Sequence, residues 1–130
     1  MLFRSIVNVA SGVGWPRWLT TPGRDEFPVR SVPYATSKAA VIALTRVSAM
    51  ELGPLGIRVN CICPVAGETG MLADFMGGDT PENRARFVAS VPLGRLSTPS
   101  DIADAALYLC SDQSAFITGV ALEVDGGRCI

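Results

Sequence analysis

The chain has 130 residues, which is enough for one domain and too few for two. Its 11 basic and 12 acidic residues leave a net charge of −1, so no nucleic-acid partner is expected. No apolar run approaches the ~18 residues of a membrane helix, so no membrane partner is expected either. The chain has no histidine, the commonest general base and zinc ligand, and we expect no metal site.

The first residues predict a strand followed by a long loop. The β-branched run Ser5–Ala10 ends at Ser11 and is typical of a strand. Residues 12–31 combine Gly, Pro, Arg and Thr without an apolar period, which indicates a loop. Because Trp15 and Trp18 lie in this loop, we expect it to pack against the rest of the protein.

A long helix is predicted from Val32 to Leu52. Ser31 can cap its start, Pro33 fits the first turn, and Gly53 with Pro54 ends it. Most positions of the helix are apolar, which predicts burial on more than one side. Residues spaced by four form a small, flat face that another backbone can approach closely: Ala35, Ala39 and Ala43.

The remaining chain predicts two further strands and shorter helices. In order, these are a strand at Ile57–Ile62 closed by Pro64, one helical turn at Leu72–Met76, a helix at Pro81–Ala89, a helix capped by Thr98 and running to Cys110, and a strand at Val120–Val124. Strands that alternate with helices predict an α/β fold, in which a parallel sheet carries helices on both faces.

The cysteines do not show the spacing of a metal or redox site. Cys61 and Cys63 are two residues apart, which differs from the Cys-x-x-Cys pattern. We expect all the cysteines to be buried thiols in a reducing cytoplasm: Cys61, Cys63, Cys110 and Cys129.

Tyr34 and Lys38 are the first candidates for catalysis. They are four residues apart on the predicted helix and therefore share one face. Lys38 is the only lysine, because the other ten basic residues are all arginine. An ammonium beside a phenol favours the phenolate, which suits a general acid–base. A tyrosine on a buried face with a lysine lying beside it is an equally good interpretation of this pair alone.

Ser11 is the second candidate. It directly follows an apolar strand, at the strand end where open α/β sheets place their ligands. A hydroxyl there can donate a hydrogen bond to a carbonyl oxygen and stabilise developing charge. Taken alone, Ser11 followed by Gly12 is also typical of an ordinary turn.

Five motifs occur in the order seen in the classical short-chain dehydrogenases/reductases, which the chain resembles over nearly its whole length. They are Ile6–Ser11, Tyr34-xxx-Lys38, Gly56–Asn60, Pro64–Thr69 and Val124–Gly127. The resemblance implies a Rossmann-type, doubly wound parallel sheet with helices on both faces. Residues 1–130 would supply its C-terminal half, with strands five to seven, and the N-terminal dinucleotide-binding half would be absent.

The resemblance also implies roles for particular residues. Tyr34 would exchange a proton with the substrate, Lys38 would hold the nicotinamide ribose, and Ser11 would bind the substrate oxygen. A hydride would pass between NAD or NADP and a small alcohol, ketone or 3-oxoacyl substrate. The implied cofactor contacts are Tyr34, Lys38, Pro64, Val65, Gly67 and Thr69.

The sequence departs from the family pattern in three places. The segment 12–14 leads into a region rich in Trp and Pro instead of a helix, so the Gly-rich phosphate-binding turn is missing from the sequence. The 23-residue interval from Ser11 to Tyr34 is longer than usual. Val65 and Gly70 replace the residues that the family usually has in the Pro64 loop.

These departures predict a truncated chain that is inactive by itself. Its Ile6–Val9 strand would form an exposed apolar edge and favour poor solubility or self-association. A non-catalytic oligomerisation fragment that has lost cofactor binding is the alternative function. An epimerase or dehydratase is less favoured, because the chain stops three residues after Gly127. The small helix face and the last strand resemble the family's dimer and tetramer contacts, which implies a homo-oligomeric parent.

Overall fold

A computed structural model describes residues 4–14 and 32–130 of the chain. Its strands and helices are, in order, β1 (Ser5–Val9), α1 (Val32–Leu52), β2 (Arg58–Pro64), α2 (Leu72–Met76), α3 (Pro81–Ala89), α4 (Pro99–Cys110) and β3 (Ala121–Val124). Short 3-10 turns lie at Gly12–Gly14, Gly53–Leu55 and Asp112–Ser114. The predicted helix bounds are confirmed, and the strand ends shift by one or two residues. The predictions for Trp15, Trp18 and the Ser31 cap lie outside the described residues.

The three strands form a parallel sheet in the order β1-β2-β3. The central strand β2 is buried over Val59–Cys63, as expected of a parallel strand covered on both faces. Successive side chains of a strand point to opposite faces. Cys61 packs with Ile42 of α1, whereas Arg58 bonds to the Leu109 carbonyl of α4. Helices therefore cover both faces, and the predicted α/β class is confirmed.

Arg58 fastens α4 to the amino end of the sheet. Its guanidinium donates to the carbonyl oxygens of Leu109 at 2.8 Å and Ser111 at 3.1 Å, and to Ser114 Oγ at 2.9 Å. The last carbonyls of a helix have no partner within the helix. Arg58 supplies those partners and fixes the end of α4 against β2. Two residues further along β2, the side-chain amide of Asn60 donates to the Ile117 carbonyl at 3.0 Å.

A capping box begins α4, as the sequence predicts. Thr98 Oγ1 accepts the Asp101 N–H at 3.3 Å, and the Asp101 carboxylate accepts the Thr98 N–H at 2.7 Å. Arg95 pairs with the same carboxylate through two hydrogen bonds of 2.7 and 2.8 Å. This guanidinium, together with the Thr98 donors, holds the pKa of Asp101 well below its usual range.

The apolar surface of β1 and α1 is more exposed than a finished core would be. Ile6 is 43% exposed and Val9 is 54% exposed on β1, which is an edge strand of the sheet that residues 4–14 and 32–130 form, so the predicted apolar edge is confirmed for these residues. Burial of α1 on more than one side is wrong for the described residues, because α1 meets the sheet along one side only. That side buries Ile42, Thr45 and Ala49, and the exposed apolar side chains include Leu44, Val47 and Met50.

Three of the four cysteines are buried, as predicted. Cys61, Cys63 and Cys129 lie in the interior, but Cys110 is exposed, and its predicted burial is wrong. Cys110 is the last residue of α4 and faces away from the sheet side that buries Leu109. Burial and the neighbouring Asp125 carboxylate raise the pKa of Cys129 to about 12.

In the described ranges, no helix is both long and apolar enough to span a membrane.

Candidate active site

A cavity of about 450 Å³ opens at the carboxyl ends of β1 and β2. This volume is typical of small-molecule sites, and the carboxyl edge of a parallel sheet is where such sites form. The structure brings all the predicted site residues to its wall: Ser11, Tyr34, Lys38, Pro64, Val65, Gly67 and Thr69. Their shared location was not obvious from spacing, because Ser11 and Thr69 are far apart in the chain.

Ser11 lies at the point where β1 ends and the chain turns away. The Ala10 N–H donates to the Ile62 carbonyl at 2.8 Å, which extends the ladder to the residue before Ser11. Ser11 is buried, and its Oγ accepts the Val13 N–H at 3.3 Å. This bond occupies an oxygen lone pair and leaves the hydroxyl hydrogen available as a donor.

Gly12 permits the close packing behind Ser11. A Cβ at this position would lie 3.2 Å from Cys129 Sγ and 3.7 Å from the Pro64 carbonyl oxygen. The C-terminal segment thus packs against the turn that carries Ser11. Asp125 holds that segment by accepting the backbone N–H groups of Gly127 at 2.9 Å and Cys129 at 2.7 Å.

Tyr34 and Lys38 project from the first turns of α1 into the same cavity. The Lys38 ammonium lies 5.7 Å from the centroid of the Tyr34 ring, which is within cation–π range. Lys38 Nζ also donates to the Val9 carbonyl at 3.1 Å, so the ammonium is anchored to the end of β1. The paired arrangement predicted from the four-residue spacing is present.

The loop after β2 is held by its own backbone. The Glu68 N–H donates to the Ser97 carbonyl at 2.9 Å, and Gly67 forms a parallel bridge with Ser97. A Cβ on Gly67 would collide with Ser97 Oγ and lie 3.0 Å from the Ser97 carbonyl oxygen, so glycine favours this close approach. Thr69 is exposed and reaches the cavity from the end of the loop.

The sequence predicts that the segments 12–31 and 68–80 shape the substrate pocket, but it does not single out the apolar residues that do so. Phe75 is the most informative, because its ring lies 5.9 Å from the Tyr34 ring at an interplanar angle of 74°. The sequence signal that could have indicated Phe75 is the predicted helical turn Leu72–Met76. Its first and last residues are buried, and Phe75 lies on a different side of the turn. Val13 and Met71 also lie in these segments and line the cavity, whereas Phe87 and Ile102 line it from outside them.

Comparison with known proteins agrees with the motif order. A family model described as Enoyl-(Acyl carrier protein) reductase matches residues 22–128. The chain belongs to the short-chain dehydrogenase/reductase family. The chain is 53% identical over 98 residues to the 4-formylbenzenesulfonate dehydrogenase of Comamonas testosteroni, a match that covers 75% of this chain and 39% of the relative.

Two reductases match nearly the whole chain. It is 40% identical over 123 residues to the 3-oxoacyl-[acyl-carrier-protein] reductase of Chlamydia muridarum, covering 95% of this chain and 44% of that protein. The crystal structure of a Brucella melitensis 3-ketoacyl-(acyl-carrier-protein) reductase complexed with NADH matches with a TM-score of 0.77 and 44% identity. That match covers 97% of this chain and 45% of the other. The Rossmann-type fold is thereby confirmed, and the chain spans less than half the length of these relatives.

Proposed function

We propose that this chain carries the catalytic edge of an NAD- or NADP-dependent oxidoreductase that interconverts a small alcohol and its ketone or aldehyde. One observation carries the proposal. A hydroxyl, a phenol and an ammonium, from Ser11, Tyr34 and Lys38, line a single cavity at the carboxyl edge of a parallel sheet. A 3-oxoacyl group is a substrate of the same chemical type, because it also presents a ketone.

The cavity residues fit one end of a nicotinamide dinucleotide. The Lys38 ammonium can bond ribose hydroxyls, and the Pro64–Thr69 loop offers backbone groups and the Thr69 hydroxyl to a carboxamide. The phosphates need a Gly-rich turn at a helix start, and this sequence contains none. The chain therefore fits the nicotinamide and ribose, and a second segment has to hold the phosphates. When bound, the cofactor supplies or accepts the hydride.

Tyr34 is proposed to move the proton. In the reducing direction, the carbonyl carbon gains a hydride and its oxygen takes the Tyr34 phenolic proton, which yields an alcohol and a phenolate. In the oxidising direction, the phenolate accepts the alcohol proton. The anchored Lys38 ammonium, 5.7 Å from the ring centroid, stabilises the negative charge that develops on Tyr34.

Ser11 is proposed to orient the reacting oxygen. Its Oγ already accepts the Val13 N–H, so its hydroxyl hydrogen can point to the substrate. Such a donor is fixed before the substrate arrives, because Ser11 is buried against the end of β1. The hydroxyl can then stabilise the negative charge that develops on the substrate oxygen without first having to change its position.

A chimera tests this proposal directly. Residues 6–130 would replace the matched segment of the Brucella melitensis reductase, and NADH consumption would be measured with a panel of ketones. We expect turnover, and we expect Tyr34→Phe to lower it by about 100-fold or more, since the proton donor is lost. Tyr108→Phe is the matched control, because Tyr108 is exposed on α4. Equal turnover in the Tyr34→Phe and control chimeras would rule out Tyr34 as the acid–base.

The alternative function, a non-catalytic oligomerisation fragment, predicts a different result. A chimera that folds and binds NADH but does not turn over any ketone would favour it. Fluorescence titration of NADH and NADPH against the 130-residue chain addresses the cofactor separately. No binding by the chain alone is the expected result, since the phosphate cradle is missing from its sequence.

We propose that the parent enzyme is a cytoplasmic homo-oligomer, either a dimer or a tetramer. The exposed apolar side of α1, which includes Leu44, Val47 and Met50, supports an interface between copies. Sedimentation velocity of the chimera would test this, and a monomer at micromolar concentration would contradict it.

A further inference from the structure

We propose that the cavity selects an alcohol or carbonyl compound whose reacting carbon carries a flat, uncharged aromatic ring, and that Phe75 is the residue that makes this selection. The inference rests on the proposed function, because it assumes that the substrate oxygen meets Tyr34. It adds the chemical class of the substituent next to the reacting carbon.

The contact between Phe75 and Tyr34 places an aromatic wall beside the reacting group. The two rings meet edge to face, with centroids 5.9 Å apart and planes at 74°. Both residues line the same cavity. A group attached to the carbon whose oxygen reaches Tyr34 therefore lies close to the Phe75 ring, where an aromatic substituent can stack or pack edge to face.

Phe75 is held firmly enough to discriminate between shapes. Its helix α2 buries Leu72 and Met76, which are 2% and 3% exposed. Both belong to an apolar cluster with Phe87, Val91 and other residues of the α3 region. Because two residues of this five-residue helix are anchored in the cluster, the backbone that carries Phe75 is fixed beside the cavity.

The rest of the wall favours an apolar and polarizable substituent. Met71 and Val13 line the same cavity as Phe75, and a methionine thioether packs well against aromatic rings. Among the described residues of the wall, Lys38 is the sole side chain that carries a charge at neutral pH. Lys38 is anchored to the Val9 carbonyl and, in the proposed function, serves Tyr34 and the ribose, so a charged group next to the reacting carbon finds no dedicated partner among the described residues of the wall.

The test compares two alcohols with the same carbon skeleton, one with a flat aromatic ring and one with a saturated ring. 1-Phenylethanol and 1-cyclohexylethanol would be titrated, without cofactor, into the 130-residue chain labelled with [13C-methyl]methionine. Ring pairing is typically worth enough to predict about threefold to tenfold tighter binding of 1-phenylethanol. The Met71 methyl signal should shift through the ring current of the phenyl group. The Met50 methyl, exposed on α1, is the internal control.

A matched pair of variants assigns the preference to one residue. Phe75→Leu should reduce the phenyl-over-cyclohexyl preference to less than about twofold. Phe116→Leu should leave it unchanged, because Phe116 is fully exposed and lines a separate cavity at the opposite end of the sheet. Circular dichroism would verify folding. If Phe75→Leu does not fold, the preference and the Met71 shift in the unsubstituted chain still decide the question.

Each outcome bears on the inference. A phenyl preference lost in Phe75→Leu and retained in Phe116→Leu supports it. Equal binding of the two alcohols, a preference that survives in Phe75→Leu, or no binding of either alcohol overturns it. These readouts need no cofactor and no turnover. An inactive chimera that accompanies a clear phenyl preference would overturn the proposed function and leave a ring-selective binding site.

Discussion

The two ends of the sheet use their polar side chains in opposite ways. At the amino end, the Arg58 guanidinium donates hydrogen bonds to the carbonyls of Leu109 and Ser111 and to Ser114 Oγ. At the carboxyl end, Lys38 makes one anchoring bond to the Val9 carbonyl and faces an open cavity. One cation completes the fold, whereas the other is held in place with its donors directed toward a space that a ligand can enter.

This difference shows why the cations are of different types. A planar guanidinium can bond several carbonyls at once in fixed directions, which suits the end of a helix, where the last carbonyls have no partner within the helix. A compact ammonium can be anchored by one carbonyl and still serve neighbouring oxygens. Exchanging the two residue types should therefore damage activity at one end and stability at the other.

The exchange Lys38→Arg should have the largest effect. The guanidinium cannot take the position of the ammonium beside Tyr34, so we expect turnover of the chimera to fall by about 100-fold or more. The free energy of unfolding should change little, because Lys38 contributes one exposed hydrogen bond. NADH consumption and urea unfolding would be measured together. Turnover within about threefold of the unsubstituted chimera would contradict the role given to Lys38.

The reverse exchange, Arg58→Lys, should weaken the fold. A single ammonium cannot reproduce the forked bonds of the guanidinium to the Leu109 and Ser111 carbonyls, so at least one charge-assisted hydrogen bond is lost, although serine hydroxyls still donate to both carbonyls. We expect the free energy of unfolding to fall by about 2 kcal/mol. Urea unfolding followed by circular dichroism would measure it, with Arg46→Lys on exposed α1 as control. An equal loss in both variants would show that the network at the end of α4 is not the cause.

Removing the cap of α4 should have a smaller effect. Thr98→Ala deletes the side chain that accepts the Asp101 N–H, and we expect a loss of about 1 kcal/mol in the free energy of unfolding. Thr98→Ser should restore most of it, because serine keeps the hydroxyl. If serine and alanine were equally destabilising, the methyl group rather than the cap would be responsible.

The pH dependence at Asp101 should be the smallest effect. Arg95 and the Thr98 donors lower the pKa of Asp101 below the ordinary value of an aspartate, so the carboxylate contributes its full stabilisation at pH values above that ordinary pKa. The contribution is lost as the pH falls through the lowered pKa. The difference in thermal midpoint between the unsubstituted chain and Asp101→Asn should be constant from pH 5 to 7 and shrink below about pH 4. Asp104→Asn is a control on the exposed face of the same helix.

Local signals in the sequence predicted most of the fold. Thr98 and Asp101 fixed the start of α4, and Gly53 with Pro54 fixed the end of α1, because caps and breakers act over a few residues. The five motifs predicted that Ser11, Tyr34 and Lys38 share a site, and the structure brings all three to the wall of one cavity. Ser11 follows the carboxyl end of β1, and Tyr34 and Lys38 reach the same edge of the sheet from α1.

Other features depend on contacts that no local pattern encodes. The apolar side of α1 predicted burial, but exposure depends on which elements pack against the helix, and the described chain covers one side only. Phe75 contacts Tyr34 although the two residues are far apart in the sequence, and their spacing does not indicate that they meet. Cys110 was misplaced because a cysteine at a helix end is buried or exposed according to the helix rotation, which the apolar pattern near α4 defined poorly.

The exposure of Cys110 makes the chain easy to label at one position. Cys61, Cys63 and Cys129 are sealed in the interior, whereas the Cys110 thiol is open to reagents at the end of α4. A maleimide dye should therefore attach at a single site without mutagenesis, since thiol alkylation requires access. That site lines the cavity at the amino end of the sheet, on the far side from Tyr34. A fluorophore placed there could report the joining of this chain to a second polypeptide while leaving the chemistry untouched.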